Sequence, residues 1–440
     1  MALTQRIDVS APLNASPWRW VPTLYFAQGI PYVVVMTLSV VMYKNFEVSN
    51  TDIALYTSWL YLPWVIKPLW SPLVDMLRSK RWWIVTLQTV IGASLALAAL
   101  AVPMPHFFQL TLAVFWLMAF SSATHDIAAD GFYMLALPER TQAAFVGVRS
   151  TFYRLAMIAG QGGLVVLAGT LRDASGSFAH AWSVVFFVLG AMFVGAALLH
   201  RFVLPRPAAD HAAPRTVRFV ADFFAVFAAF FRKKDIVSIL AFLLLYRFAE
   251  AQLLKLAAPF LLDARSVGGL GLTTQQLGIV YGTFGVLALT IGGILGGVYI
   301  SRVGLKRALW PLLLAMHVPN LAFVALAVAM PQNLWLVGAA IAVEQFGYGF
   351  GFTAYMVAML MIASRDAEHR SAHYAICTGF MALGMMLPGM ASGWLQAQLG
   401  YTSFFVWVCI ATLPSFAAAA WLKIDLAFGL RTQAEDEAAR

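Results

Sequence analysis

Asp126 and Asp130 stand four residues apart in an apolar stretch, so on a helix both carboxyls leave the same face. Two ionised carboxyls at that spacing repel, and the repulsion favours uptake of a proton by one of them, as a reversible proton carrier requires. The competing reading is a fixed ion pair from either aspartate to Lys67 or Arg154, each in another apolar stretch. His125 adjoins Asp126 and can relay protons, contact a substrate or pack through a hydrogen bond. A second cluster, Arg247, Glu250 and Lys255, occupies little more than two helical turns. Glu250 lies at i+3 from Arg247 and can bridge it, which leaves Lys255 to face an anion. Glu344 is the lone acid of its stretch and either answers Lys255 or is itself the coupling carboxyl. Gln28, Gln161 and Gln345 add neutral polar groups that can touch a substrate or join helices.

These residues need elements that hold them in an apolar environment. Of 440 residues, 61% are hydrophobic and only 11% charged; a soluble domain carries roughly 25% charged residues. Lipid must therefore solvate most of the outside. Apolar runs fall at about 20–43, 53–75, 82–102, 107–136, 144–170, 182–203, 236–262, 275–300, 308–329, 334–362, 371–398 and 402–423. Each is long enough to cross roughly 30 Å of hydrocarbon as a helix. The predicted class is an all-α membrane protein with about twelve transmembrane helices. An unpaired charge at the centre of such a helix costs about 2.5–3.5 kcal/mol. Lys67, Arg154, Arg247, Lys255 and the four deep acids must then line a wet cavity, pair with one another or be neutralised.

Charge orients the helices. Most of the 29 Lys and Arg fall in the termini and in alternate loops, among them Arg78, Lys80, Arg81, Arg140, Arg149 and the stretch from Arg201 to Lys234. The opposite loops hold only Lys44, Arg172 and Arg265. The positive-inside rule puts both termini in the cytoplasm. The longest cytoplasmic loop divides the chain into an N-terminal six-helix bundle (1–203), a linker (204–235) and a C-terminal six-helix bundle with a tail (236–440). In the linker, Phe219, Phe223, Phe227 and Phe230, flanked by Arg215, Arg218, Lys233 and Lys234, predict a helix lying on the inner leaflet. The polar openings and closing turns of the two halves echo each other weakly. Pro138-Glu139-Arg140, for instance, is answered by Asp366-Ala367-Glu368-His369-Arg370. Such an echo predicts two pseudo-symmetric bundles rocking about a central site.

Asp75, Arg78, Lys80 and Arg81 are read as a charge cluster gating the cytoplasmic face. Trp18, Trp20, Trp82 and Trp83 are read as interface anchors. The first 16 residues lack the design of a signal peptide, so the first apolar run is expected to stay as helix one. The net charge of +9 is spread over short loops, which argues against nucleic acid as a partner. Cys377 and Cys409 have no metal or disulfide spacing, and neither a metal centre nor a cofactor is expected.

With these segments placed, the chain resembles the AmpG muropeptide permease group of the major facilitator superfamily, part of the peptide–acetyl-coenzyme A transporter assemblage. Tyr25-Phe26-Ala27-Gln28-Gly29-Ile30-Pro31 looks like that group's helix-one signature. Lys67-Pro68-Leu69-Trp70-Ser71-Pro72-Leu73-Val74-Asp75 resembles its helix-two motif. His125-Asp126-Ile127-Ala128-Ala129-Asp130 resembles the helix-four motif, with His125 where glutamine is usual. Tyr153-Arg154-Leu155-Ala156-Met157, followed by Gly160, Gly162 and Gly163, is similar to the helix-five segment. The resemblance is strongest in the first half. It implies the major facilitator fold and uptake across the bacterial inner membrane driven by the proton gradient.

The expected function is proton-coupled import of anhydromuropeptides, whose carboxylates would meet Lys67, Arg154, Arg247 or Lys255. The alternative is a related importer of a siderophore, a drug or an acetyl-coenzyme A-like anion. The expected partners are a small-molecule substrate, protons and the bilayer, with the protein a monomer. An enzyme is not expected: Ser121, Ser122, His125 and Asp126 lie together in sequence, yet residues one apart on a helix do not face each other as a triad needs. No nucleophile-elbow or metal-protease pattern occurs.

Overall fold

The computed structural model describes residues 16–212, 219–366, 368–425 and 428–429; the side chains of Asp75, Glu139, Ala143 and residues 219–222 lie outside the described set. The described chain is helical, without strands. Ten stretches are long and apolar enough to cross a membrane: α1 (Pro17–Asn45), α4 (Lys80–Ala101), α5 (Phe107–Ala136), α6 (Ala144–Ser175), α7 (Phe178–Val203), α9 (Ile236–Leu262), α10 (Thr274–Val303), α11 (Leu305–Ala329), α12 (Leu334–Ser364) and Arg370–Trp421. The last comprises α13 (Arg370–Ile410) and α14 (Leu413–Trp421), and within it two helices meet at Gly400, whose φ of 73° only glycine adopts without strain. A further broken helix, α2 (Asn50–Trp59) and α3 (Leu62–Leu77), bends at Leu60 and Tyr61. The expected apolar runs thus coincide with the observed helices to within a few residues.

The surface is inverted relative to a soluble protein. Leu198 and Ile294 are 55% and 57% exposed, while Gln88, Glu250 and Glu344 are fully buried. That is the arrangement lipid selects. α4 packs on α5 and α7, α1 on α6, α12 on α10 and α11, and α9 on α13. The early helices meet the late ones along two seams, α2 and α3 against α13, and α6 against α10. At the second seam backbones nearly touch: a Cβ added to Gly282 would lie 1.9 Å from the Gln161 carbonyl oxygen. The glycines at 292, 296, 347 and 349 likewise let α10, α11 and α12 pack on backbone atoms.

Side-chain contacts gather the loops at two ends. At one end Asp210 accepts from the Lys80 and Arg81 amides at 2.7 and 3.0 Å, and Lys423 pairs with Asp235 at 2.7 Å. At the other, Lys44 pairs with Asp263 at 2.6 Å, and Asn45 donates to Thr274 at 3.0 Å. The Lys423 bond holds the Asp235 carboxyl below the ordinary carboxylate range. A helix, α8, spans Phe219–Phe231. One of its phenylalanines does not face lipid: Phe230 is fully buried against His373 and Phe380 of α13. Trp20 also departs from its expected role as an anchor, being fully buried on Phe132, whereas Trp18 is 62% exposed.

Candidate functional site

A cavity of about 120 Å³ lies where α1 and α6 face α9, α10 and α12. Three stretches of these helices are wound as π-helix: Val34–Leu38, Ala159–Leu164 and Gly278–Gly285. Each puts a polar side chain on the cavity wall, Thr37, Gln161 and Tyr281 respectively. A π-turn widens the helix and re-aims its side chains, and it is found disproportionately at functional sites.

Two cations reach this wall. Lys255 is buried, donates from Nζ to Thr57 Oγ1 at 3.0 Å, and sits 5.5 Å from the centre of the Tyr61 ring. Arg247 donates to the Tyr348 hydroxyl and lies 4.7 Å from the Phe352 ring centre. Its Nε is buried without a hydrogen-bond partner. Among the described residues neither cation pairs with a carboxylate. Two expected pairings are therefore replaced. Arg247 does not bridge Glu250: it caps the second part of α9, and its guanidinium turns to Tyr348 and Phe352 instead. Lys255 meets Thr57 and Tyr61 in place of Glu344.

The two acids are buried beside the cavity and do not line it. Glu250 and Glu344 are both fully buried and near enough to repel each other. His317 Nδ1 stands 3.6 Å from Glu250 Oε1. Both Glu250 oxygens and Glu344 Oε1 lack hydrogen-bond partners, as do both polar side-chain atoms of Asn320 in the same region of α11. Gln345 lines the cavity and donates to Glu344 Oε2 at 2.9 Å. One side chain thus connects the cavity wall to the buried acids.

On α5 the two aspartates are shared between two cations. Asp126 Oδ2 is 3.7 Å from Lys67 Nζ and accepts from Trp64 Nε1 at 3.2 Å. Gln28 is close to the same carboxylate. Asp130 pairs with Arg149 at 3.0 Å and accepts from the Tyr25 hydroxyl at 3.2 Å. Arg149 counts among the loop cations in the sequence, yet the helix that carries it brings its guanidinium over the Tyr25 ring at 4.6 Å. Arg154 makes neither of its expected pairs and lies beside Gly293 of α10. His125 is buried and does not line the cavity. Its Nε2 meets Gln88 at 3.1 Å; Gln88 meets His200 at 2.8 Å, and His200 meets Thr23 at 3.0 Å. This chain of bonds knits α1, α4, α5 and α7.

Of the expected gate, Asp75 lies outside the described side chains. Arg81 bonds to the Leu204 carbonyl at 3.3 Å and to that of Arg201, and Arg78 sits over Trp82. These bonds tie α4 to the end of α7. Sequence reasoning missed Tyr32, Tyr61, Tyr281 and Tyr348, which with Thr37 supply much of the polar lining. Their hydroxyls hide among aromatic side chains that a hydropathy reading counts as apolar.

A helical bundle with lipid-facing flanks, polar seams and a charged central cavity defines a polytopic membrane transporter. The family description of the Major Facilitator Superfamily matches residues 23–367, and the chain belongs to that superfamily. It is 24% identical over 400 residues to the "Anhydromuropeptide permease" of Escherichia coli (strain K12), spanning 89% of this chain and 76% of the relative. It is equally 24% identical, over 412 residues, to a Rickettsia conorii protein named for the transporter AmpG 4, spanning 89% and 93%. Among solved structures, the nucleoside transporter NupG superposes with a TM-score of 0.68 at 17% identity, covering 92% of this chain and 98% of that one. A POT family transporter holding a thioalcohol conjugated peptide also gives 0.68, at 10% identity, over 91% and 95%. The protein is a multi-pass transporter of the bacterial inner membrane.

Proposed function

We propose that the protein is a proton-coupled importer of anhydromuropeptides. One observation supports an anionic substrate above all: Lys255 and Arg247 reach the central cavity with, among the described residues, no carboxylate paired to either of them. An uncompensated cation buried at mid-helix costs about 2.5–3.5 kcal/mol, and an incoming carboxylate recovers it. The tyrosines, Thr37 and Gln161 suit the hydroxyls and amides of a sugar–peptide. A cavity of about 120 Å³ is smaller than the roughly 300 Å³ and more that ligand sites enclose. Loading therefore needs the bundles, 1–203 and 236–440 in our reading, to rock apart about the linker.

Coupling is assigned to Glu344 with Glu250. Glu250 and Glu344 are both fully buried and repel each other, with His317 beside one of them, an arrangement suited to exchanging a proton. Gln345 passes the state of Glu344 to the cavity. Asp126 and Asp130, each already beside a cation, hold charge in place, with Lys67, Gln28 and Arg154 flanking the way out towards the cation-rich end. The cluster of Asp75, Arg78, Lys80 and Arg81 steadies that end.

Purified protein in proteoliposomes, given radiolabelled anhydromuropeptide and an inward acid gradient, tests both parts. Wild type accumulates label; Glu344→Gln loses accumulation yet still exchanges label in counterflow, which needs no net proton movement. Accumulation by Glu344→Gln would return coupling to α5. Failure of wild type to take up anhydromuropeptide, with uptake of an acetyl-coenzyme A-like anion instead, would replace the substrate and leave the site.

A further inference from the structure

At the cation-rich end, Asp366, His369 and His373 gather their ligand atoms within 4.8 Å of one another where α12 turns into α13. The sequence reading treats Asp366 to Arg370 only as a polar turn and expects no metal. The geometry points to a divalent transition-metal site, of the kind that takes zinc, formed by Asp366 Oδ2, His369 Nδ1 and His373 Nδ1.

Three observations carry it. The first is spacing. His369 Nδ1 is 3.1 Å and His373 Nδ1 3.8 Å from Asp366 Oδ2. With zinc–ligand bonds of about 2.0–2.1 Å at tetrahedral angles, two donors stand roughly 3.3 Å apart. Shifts of a few tenths of an ångström at the first two edges, and up to about 1.5 Å at the third, bring all three to one ion.

The second is the tautomer of His373. Its Nε2 lies 3.3 Å from the Val226 carbonyl of α8, and a carbonyl accepts only, so Nε2 carries the proton. Nδ1 then bears a lone pair. The side chain is fully buried, and Nδ1 has no hydrogen-bond partner. A carbonyl that fixes the distal nitrogen while the proximal one faces a carboxylate is the usual outer support of a metal-bound histidine. Without a cation, this lone pair is buried against a carboxylate, and the two repel.

The third is the carboxylate. Asp366 Oδ1 accepts from the His369 amide at 3.2 Å, which fixes the group and leaves Oδ2 turned to the rings. Lys233 lies near enough to interact with Asp366 and sets a limit on affinity.

A bound ion would pin the α12–α13 turn and, through Val226, the linker helix α8. The proposal is tested on the full chain in detergent, carrying an affinity tag free of histidine, by titration with zinc and with cobalt. Expected are one ion per chain, a visible cobalt band, and a thermal midpoint raised by zinc. Asp366→Asn and His369→Ala, both at half-buried positions, should weaken zinc binding at least tenfold and abolish the band. His211→Ala, at an exposed histidine, should change nothing. His373→Ala is the harsher variant; size-exclusion elution and the metal-free midpoint show whether it folds, and the other two carry the test if it does not. Zinc affinity unchanged in folded Asp366→Asn and His369→Ala, or no zinc binding by wild type at micromolar concentration, overturns the site.

Discussion

Lys255 shows how little of a buried charge's role can be read from its own residue type. Its amine has one hydroxyl and one aromatic face for company. Neither offsets the loss of water as a carboxylate would. Lys255→Met should therefore raise the thermal midpoint of the protein without substrate, because it removes an uncompensated buried charge. The same change should weaken uptake of an anionic substrate at least tenfold, a charge-assisted hydrogen bond being worth about 1.5–3 kcal/mol. A midpoint that falls while uptake persists would make Lys255 a structural group. Asp130 is the opposite case. Its pair with Arg149 is 38% and 34% exposed, so solvent screens it, and Asp130→Asn should cost no more than about 1 kcal/mol, seen as little change in chemical-denaturation midpoint. The sequence showed which residues were charged and deep, and it paired Asp126 with Lys67 as one of two options. It could not show the Arg149 or Tyr348 partners, because those depend on how far neighbouring helices slide past one another.

At the scale of elements, hydropathy is a reliable guide to where helices run and a poor guide to how they are wound. The stretch expected at 107–136 is the helix Phe107–Ala136, and that at 334–362 is Leu334–Ser364. Nothing in an apolar pattern marks the π-turns at Val34–Leu38, Ala159–Leu164 and Gly278–Gly285, or the break before Phe248. Yet these turns aim Thr37, Gln161, Tyr281 and Arg247 at the cavity. Glycine is the one sequence sign of them: Gly160, Gly162 and Gly163 lie in the second, and Gly278, Gly282 and Gly285 in the third. The second and third π-turns cross each other, with room for no side chain at Gly282. Gly282→Ala should force α6 and α10 apart and lower the yield of folded protein. In what does fold, substrate affinity should fall several-fold through displaced Gln161 and Tyr281. Direct binding measured by calorimetry on the purified variant checks this; wild-type affinity would mean the crossing is slack.

At the end opposite the cation-rich loops the early and late helices are bonded together, and several of those bonds converge on one residue. Asp263, at the end of α9, takes an ion pair from Lys44 at 2.6 Å and hydrogen bonds from Asn50 at 3.2 Å and Tyr401 at 2.5 Å. Asn50 also meets Gln396 and Tyr401, both at 2.9 Å. Lys44 and Asn50 belong to the early helices, and Asp263, Gln396 and Tyr401 to the late ones, so this knot joins the two seams' partners where they would part. The Lys44 and Asp263 side chains are only 14% and 13% exposed, which spares the pair most of the screening that weakens surface bridges. Losing a charge-assisted bond of this kind costs about 1.5–3 kcal/mol. At 1.4 kcal/mol per decade, that moves an equilibrium between closed and open forms roughly tenfold or more. Asp263→Asn keeps the shape and removes the charge, so it should shift the population towards opening at this end while leaving the Glu250–Glu344 pair intact. Spin labels at Glu47 and Val267, in a background lacking Cys377 and Cys409, read the separation across the knot by double electron–electron resonance. The variant should show a longer-distance population that wild type lacks or holds at a small fraction. Identical distance distributions in the two proteins would mean that the helices, and not this knot, keep the end closed.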